Sequence, residues 1–86
     1  MRIEKKCWLE SFARILSGEK TIDLRLADWE CKPGDILVLR EYDPEKKVYT
    51  GRVLEKEVAY VMKTKGQPYF KKEDVEKYGF IILSLK

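Results

Sequence analysis

Charged side chains recur at short spacing just after residue 18: Lys20, Asp23 and Arg25. If the chain from Thr21 onwards is a strand, then Thr21, Asp23 and Arg25 project from one face of it. A carboxylate and a guanidinium on one face either pair with each other or together bind a polar ligand. Lys20 has the opposite parity and reaches that face only if the chain bends, which Gly18 permits. The alternative is an exposed strand face with an ordinary ion pair, worth about a few tenths of a kcal/mol.

A second segment of the chain combines cations with aromatic rings. Its members are Lys63, Lys65, Tyr69, Phe70, Lys71 and Lys72. Cations interleaved with aromatic side chains suit single-stranded RNA, through phosphate contacts and base stacking. The alternative is a solvated loop whose aromatic side chains cover the end of the fold.

The composition indicates one small folded domain spanning residues 1–86. Hydrophobic residues make up 44% of the chain and aromatic residues 12%, which excludes a disordered protein. A core of this size leaves little room for an internal cavity, so a site is expected in a surface groove or cleft. The formal net charge of +3 permits a nucleic-acid partner without requiring one.

The absence of histidine narrows the chemistry. It excludes imidazole-based catalysis and most metal sites. The two cysteines, Cys7 and Cys31, have no CxxC spacing and cannot form a standard zinc site, so we expect neither a metal nor a cofactor. Abundant Lys and Glu with scarce amides indicate a thermophilic source. We expect two reduced thiols, as in a cytosolic protein, and a disulfide remains the alternative for a hyperthermophile.

The ends of the chain carry no sign of a membrane segment. The charged N-terminus is followed by no apolar stretch, so no signal peptide is expected. The longest apolar run, near residues 80–83, is too short to span a bilayer. The sequence therefore predicts a soluble, cytoplasmic monomer without membrane contacts.

The apolar periodicity predicts roughly five strands and one main helix. The helix spans residues 8–17, because Leu9, Phe12, Ala13 and Leu16 recur at helical spacing and Gly18 follows as a C-cap. A shorter helix is predicted over residues 71–78. The strands are expected at residues 2–6, 21–26, 36–42, 48–49 continuing with 52–62 past a bulge at Gly51, and 79–85. Short loops favour an antiparallel sheet that curls into a partial barrel to protect its edges, with the main helix packed against it.

The segment Gly18-Glu19-Lys20-Thr21-Ile22-Asp23-Leu24-Arg25 resembles the GxKxxExR motif of the ASCH domain, a branch of the PUA-like superfamily. The resemblance covers nearly the whole chain, since further stretches match the family's pattern in the same order. These are residues 32–37, 40–44, 49–52 and 79–85. The chain is most similar to a small prokaryotic branch described as RNA-binding.

This resemblance implies an α+β fold, with a curled antiparallel or mixed β-barrel of five to six strands and one main helix. The helix would form one wall of a cleft lined by Lys20, Asp23 and Arg25. A cation, a carboxylate and a guanidinium can together hold a phosphate and the edge of a base. The expected function is therefore binding of RNA or of a modified nucleotide, and Thr21 is expected to contribute to the same binding site. The family's acid is usually Glu, and Asp23 is one methylene shorter.

Two other functions remain open. Some small ASCH proteins are amidohydrolases acting on N4-acetylcytidine with a Lys, a Thr and a Glu, which would place Lys20 in the site and Asp23 where the Thr stands. In that case Lys20 could act as a base and Asp23 could hold a water, with Glu73 or Glu76 as the third group. A protein–protein adaptor would instead show an exposed apolar patch around Trp29 or Tyr69.

Overall fold

The computed structural model describes residues 1–81, which form a three-stranded sheet and two short helices. In chain order the elements are β1 Arg2–Trp8, α1 Leu9–Leu16, β2 Ile36–Asp43, β3 Val48–Glu57 and α2 Lys72–Tyr78. The strand order is β1-β2-β3. β1 runs parallel to β2, and β3 runs antiparallel to β2, so the sheet is mixed.

The parallel pairing of β1 and β2 requires a crossover, which α1 and the connection 17–35 provide. The predicted helix 8–17 is confirmed to within one residue at each end. Its apolar face presents Phe12 and Ile15 to the sheet, where both side chains are buried. A connection as long as 17–35, without secondary structure of its own, is uncommon in a small domain and is often functional.

The core lies between α1 and one face of the sheet. Its buried members are Cys7, Phe12, Ile15, Leu37 and Leu39. Ile3, Trp29, Leu54 and Val58 pack around this cluster and are partly buried. Leu37 and Leu39 come from alternate positions of β2, as expected for the buried face of a strand.

The β2–β3 hairpin turns at Asp43, whose Oδ1 accepts the backbone N–H of Glu45 at 3.0 Å and of Lys46 at 3.2 Å. This is the local side-chain bonding that favours Asp in turns. Further along, the register shifts between Arg40 and Tyr42, and Gly51 lies opposite the shift with a φ of +95°. The predicted bulge at Gly51 is therefore confirmed.

The predicted barrel of five to six strands is wrong, because the described residues form an open sheet of three strands. The stretch 21–26 forms no regular secondary structure and pairs with no strand within residues 1–81. Leu24 and Leu26 are 73% and 81% exposed, so the alternation that suggested a strand buries little apolar surface. Strand propensity is realised only when a partner and a buried face are available, and three strands are too few to close a barrel.

Two further boundaries differ from the expected ones. β3 ends at Glu57 instead of continuing to Met62, and β1 continues two residues past Lys6 to Trp8. The predicted helix 71–78 is confirmed as α2. The predicted last strand, 79–85, does not begin at residues 79–81, and residues 82–86 lie outside the described part of the chain. Neither helix of the described chain is long and apolar enough to cross a membrane.

Candidate functional site

The chain bends back sharply after α1. Gly18 adopts a φ of +84°, and its N–H donates to the carbonyl of Ile15 at 3.1 Å. The N–H of Lys20 then donates to the carbonyl of Arg14 at 3.0 Å. These bonds satisfy carbonyls that the end of a helix leaves unpaired, and glycine tolerates the left-handed backbone that they require. The predicted bend at Gly18 is present, and it places Lys20 beside α1.

The ammonium of Lys20 lies against the helix. Its Nζ donates to the Oγ of Ser11, on α1, at 2.5 Å. Lys20 is partly buried, unlike most lysines, so its side chain is held in one place. α1 therefore positions both ends of this residue, through Arg14 at the backbone and Ser11 at the side chain.

Asp23 and Arg25 form an ion pair at the edge of β1 that faces away from β2. The Nε of Arg25 donates to the Oδ2 of Asp23 at 2.6 Å, and its Nη2 donates to the carbonyl of Lys6 at 2.9 Å. The side chains of Arg25 and Asp23 are only 23% and 26% exposed. Sequence spacing predicted that the two would meet, although the strand from which that prediction was made does not form.

The thiol of Cys7 lies close enough to all of these groups to interact with them. Burial raises the pKa of Cys7, while a hydrogen bond with the Ser11 side chain lowers it to a smaller degree. The charges of Asp23, Arg25 and Lys20 also act on the thiol. The charged side chains therefore gather at the carboxyl end of β1, around a buried cysteine. A raised pKa disfavours the thiolate, which is the form in which a cysteine acts as a nucleophile.

We call Ser11, Lys20, Asp23 and Arg25 the β1-end site. Thr21, the other predicted binding residue of this segment, lies in the same stretch and is exposed. The sequence analysis missed Ser11 and Cys7. Ser11 lies within the predicted helix and Cys7 directly precedes it, but no local pattern shows which face of the helix Lys20 will meet.

A second polar cluster that the sequence analysis missed is centred on Glu41. This carboxylate is 7% exposed and lies beside Cys7 in the register of the parallel strands. Its Oε1 accepts the hydroxyl of Thr50 at 2.6 Å and lies 3.1 Å from the Nε of Arg52. The guanidinium of Arg52 lies 5.0 Å from the centre of the Phe12 ring. Glu41 shares the parity of Leu37 and Leu39, and this was the available signal for a buried carboxylate.

The predicted basic and aromatic segment 63–72 lies apart from the β1-end site. The Nζ of Lys63 pairs with Glu30 at 3.1 Å. Tyr69 is 72% exposed, and Phe70 packs edge-on against Phe80 with ring centres 6.3 Å apart. This segment encloses a shallow groove of about 440 Å³, lined by Thr64, Lys65, Gly66, Gln67, Phe70, Lys72, Val75 and Phe80. Lys71 occupies the N-cap position of α2, and its side chain makes no capping hydrogen bond within the described residues.

The other residues considered from the sequence take separate positions. Glu73 and Glu76 are exposed on α2, and among residues 1–81 no hydrogen bond or ion pair joins either of them to Lys20. Trp29 packs against the core with the Nζ of Lys5 at 4.0 Å from its ring centre, so it offers no open apolar patch. Cys31 is partly buried, and both cysteines are free. The described chain holds no group of three or more His, Cys, Asp or Glu side chains able to bind a metal ion.

Comparison with known proteins gives one match. A family model described as "Domain of unknown function (DUF3850)" matches residues 4–85. No curated protein and no solved structure matches the chain.

Proposed function

This chain belongs to the DUF3850 family, a domain of unknown function, and we propose from the site itself that it binds a nucleotide, free or within an RNA chain. The β1-end site is the binding site in this proposal. The observation that supports it best is the convergence of Lys20, Asp23 and Arg25 at the carboxyl end of β1, where the Asp23–Arg25 pair is three-quarters buried.

Lys20 and Arg25 are held in position, and their contacts within residues 1–81 use only some of their N–H donors. The guanidinium of an arginine has five N–H groups, of which Arg25 uses one on Nε and one on Nη2 in the contacts described above. Lys20 uses one of its three N–H groups on Ser11. The remaining donors suit the oxygens of a phosphate, and their fixed positions reduce the entropy lost on binding.

Asp23 supplies the complementary group. One carboxylate oxygen accepts from Arg25, and the other is an acceptor for an amino or imino group on the edge of a base. The resemblance of residues 18–25 to the ASCH motif supports the same ligand class, because the small proteins of that branch are described as RNA-binding.

The test is calorimetric titration with the four 5′-ribonucleoside monophosphates at low salt. We expect Lys20→Gln and Arg25→Gln each to weaken the tightest of these complexes about tenfold or more, as for the loss of a charge-assisted hydrogen bond. Arg14→Gln is the matched control, because Arg14, like Arg25, forms an ion pair, but with the exposed carboxylates of Glu10 and Glu19. Absence of binding, or an equal loss in Arg14→Gln, would overturn the proposal.

One observation favours a second candidate, hydrolysis of an acylated nucleoside such as N4-acetylcytidine. The 2.5 Å contact between Lys20 and Ser11 resembles the pairing of a hydroxyl nucleophile with a lysine base. The Ser11 Oγ would attack the acyl carbon and release cytidine, and water would then release acetate from the ester. Binding is preferred, because it uses Asp23 and Arg25 as well as Lys20 and Ser11, whereas this hydrolysis uses only Lys20 and Ser11.

The two candidates separate in one assay. The protein is incubated with N4-acetylcytidine, and released cytidine is measured by chromatography. Release that disappears in both Ser11→Ala and Lys20→Ala establishes the hydrolase. We expect no release above the uncatalysed rate.

A further inference from the structure

Three aromatic side chains form a row across the sheet, on the face opposite α1. Trp8 of β1 pairs in register with Tyr42 of β2, and Tyr42 pairs with Tyr49 of β3. The rings of Tyr42 and Tyr49 meet edge-to-face with centres 5.1 Å apart. Neighbouring strands are about 4.8 Å apart, so the aromatic row Trp8–Tyr42–Tyr49 spans about 10 Å.

A row of cations lies directly beside the aromatic row. Lys6 of β1 and Arg40 of β2 are register partners, two residues before Trp8 and Tyr42. The Nζ of Lys6 lies 4.1 Å from the centre of the Tyr42 ring, and the guanidinium of Arg40 lies 4.0 Å from that of Tyr49. Each cation therefore lies over an aromatic ring of the neighbouring strand, and this cation–π contact also stabilises the sheet.

The aromatic end of this face is exposed, whereas the middle strand is covered further along. Trp8 is 60% exposed and Tyr49 is 43% exposed, whereas Val38, further along the same face, is 5% exposed. The far end is acidic, because Glu4, Glu55 and Glu57 occupy positions of the same parity, with Glu55 paired to Arg2. The charge of the face thus favours an anion at the aromatic end and repels it at the other.

We propose that the aromatic row and its two cations form a binding surface for single-stranded nucleic acid, with bases stacked on the rings and phosphates on Lys6 and Arg40. Flat aromatic rings and cations on one sheet face meet both parts of a nucleotide chain, and a duplex hides its bases from such rings. On binding, the cations move from the rings to the phosphates, and the rings become free to stack.

The surface adjoins the β1-end site through a single residue. The carbonyl of Lys6 holds Arg25 at the edge of β1, while the side chain of Lys6 lies on the aromatic face. A single-stranded nucleic acid with one nucleotide in the β1-end site can therefore continue onto the aromatic row. In this form the inference rests on the proposed function and extends it from one nucleotide to a strand.

The experiment uses Trp8 as its own reporter. Trp29 is replaced by Phe, so that Trp8 is the remaining tryptophan, and its fluorescence is followed as oligouridylate of about eight nucleotides is added at low salt. Stacking is expected to quench the emission. Tyr49→Ser and Arg40→Gln are each expected to weaken binding about tenfold, as for the loss of one stacked base or one charged contact. Lys6→Gln gives a second test at an exposed position.

The matched control is the pair Lys77 and Tyr78 on α2, where a lysine also lies over a tyrosine ring, at 5.1 Å. Lys77→Gln and Tyr78→Ser should leave the affinity unchanged, and the RNA duplex of the same length should bind more weakly than the single strand. Circular dichroism confirms that each variant is folded.

Two results would overturn the inference and leave the proposed function standing. One is a mononucleotide that binds through Lys20 and Arg25 while the oligomer binds no more tightly than the mononucleotide. The other is an oligomer whose affinity is unchanged in Tyr49→Ser and Arg40→Gln. If neither the mononucleotide nor the oligomer binds, both proposals fail.

Discussion

Two segments of this chain carry clustered cations, and the cations of the two segments differ in how firmly the fold holds them. In the segment 18–25, Lys20 and Arg25 are tied to α1 and β1 by hydrogen bonds of 2.5 and 2.9 Å. In the segment 63–72, the lysines and aromatic rings line a shallow groove or face solvent, and Lys63 forms a surface ion pair. Residues 18–25 carry two cations and two carboxylates, and residues 63–72 carry four lysines and two aromatic rings, but only the first segment is fixed by the elements that form the core.

The difference shows what composition leaves undecided. Cations and rings in an exposed segment lose much conformational entropy when they bind a ligand. Side chains already held by a helix and a strand lose less, and they present their donors in one geometry. The β1-end site is therefore the better candidate, although the segment 63–72 is the more cationic of the two.

The largest change in stability is expected from Glu41, which supports α1, the helix that holds Lys20 of the first segment. Glu41→Ala removes the partner of Thr50 and Arg52, and Arg52 packs on Phe12, which anchors α1. Loss of buried hydrogen bonds of this kind costs about 2 kcal/mol in the free energy of unfolding. Urea denaturation measures it, and a loss under about 0.5 kcal/mol would show that the cluster does not hold the helix.

A smaller loss of stability is expected from a substitution at Gly18, and it should be accompanied by a loss of nucleotide binding to the first segment. A Cβ at Gly18 meets nothing within 4 Å, so Gly18→Ala costs only the strain of its φ of +84°, about 1 kcal/mol. Because Gly18 forms the bend that positions Lys20, nucleotide affinity should fall as well.

The matched variant is Gly66→Ala in the second segment, where φ is +72° and the added Cβ also meets nothing within 4 Å. It should cost a similar amount of stability and leave nucleotide affinity unchanged. If the two variants affect affinity equally, the bend at Gly18 plays no part in the site.

Asp35 lies at the end of the connection 17–35, which contains the first segment. The dependence of stability on acid pH tests whether the Asp35 carboxylate anchors that end. Asp35 is 2% exposed and accepts the backbone N–H of Lys32 at 3.0 Å. This bond, and then the ammonium of Met1, hold the pKa of Asp35 below its ordinary value of 3.8. A lowered pKa means that the stabilisation is present above pH 3.8 and is lost as the pH falls through the folded value.

The melting temperature should therefore fall more steeply below about pH 4 in the native protein than in Asp35→Asn. Asp35→Asn should also be less stable at neutral pH. Parallel curves for the two proteins over the acid range would contradict this role for Asp35. Thermal scans followed by circular dichroism supply both curves.

The smallest effect is expected in the second segment. Lys63 and Glu30 form an exposed pair, with side chains 48% and 83% exposed. Lys63→Gln should change the free energy of unfolding by less than about 0.5 kcal/mol and leave nucleotide affinity unchanged. A large loss of affinity would show that the nucleotide binds to the segment 63–72, contrary to the expected difference between the two segments.

Local pattern was sufficient for the elements that bury a regular face. The repeat that contains Phe12 predicted α1, and the β-branched run 36–42 predicted β2 to within one residue. The bulge at Gly51 was also predictable, since glycine inside a strand often marks a bulge. In each case the local preference and the tertiary fold agree on the element, although Leu9 and Leu16 of the predicted apolar face of α1 are 38% and 53% exposed.

The barrel could not be predicted correctly because strand formation depends on a partner. The stretch 21–26 alternates polar and apolar residues as a strand does, yet Leu24 and Leu26 face solvent. Likewise, the contact of Lys20 with Ser11 and the burial of Glu41 depend on how α1 lies on the sheet, which no local spacing encodes. The pairing of Asp23 with Arg25 was predictable because the two residues are close in sequence.

The central claim is that the β1-end site, and not the segment 63–72, receives the nucleotide. The most direct measurement is a two-dimensional amide NMR titration with the 5′-ribonucleoside monophosphate that binds most tightly. We expect the largest shifts at residues 20–25, with further shifts at Lys6, Cys7 and Ser11 and none at residues 63–72. Shifts confined to residues 63–72, or no shifts at millimolar nucleotide, would contradict the account.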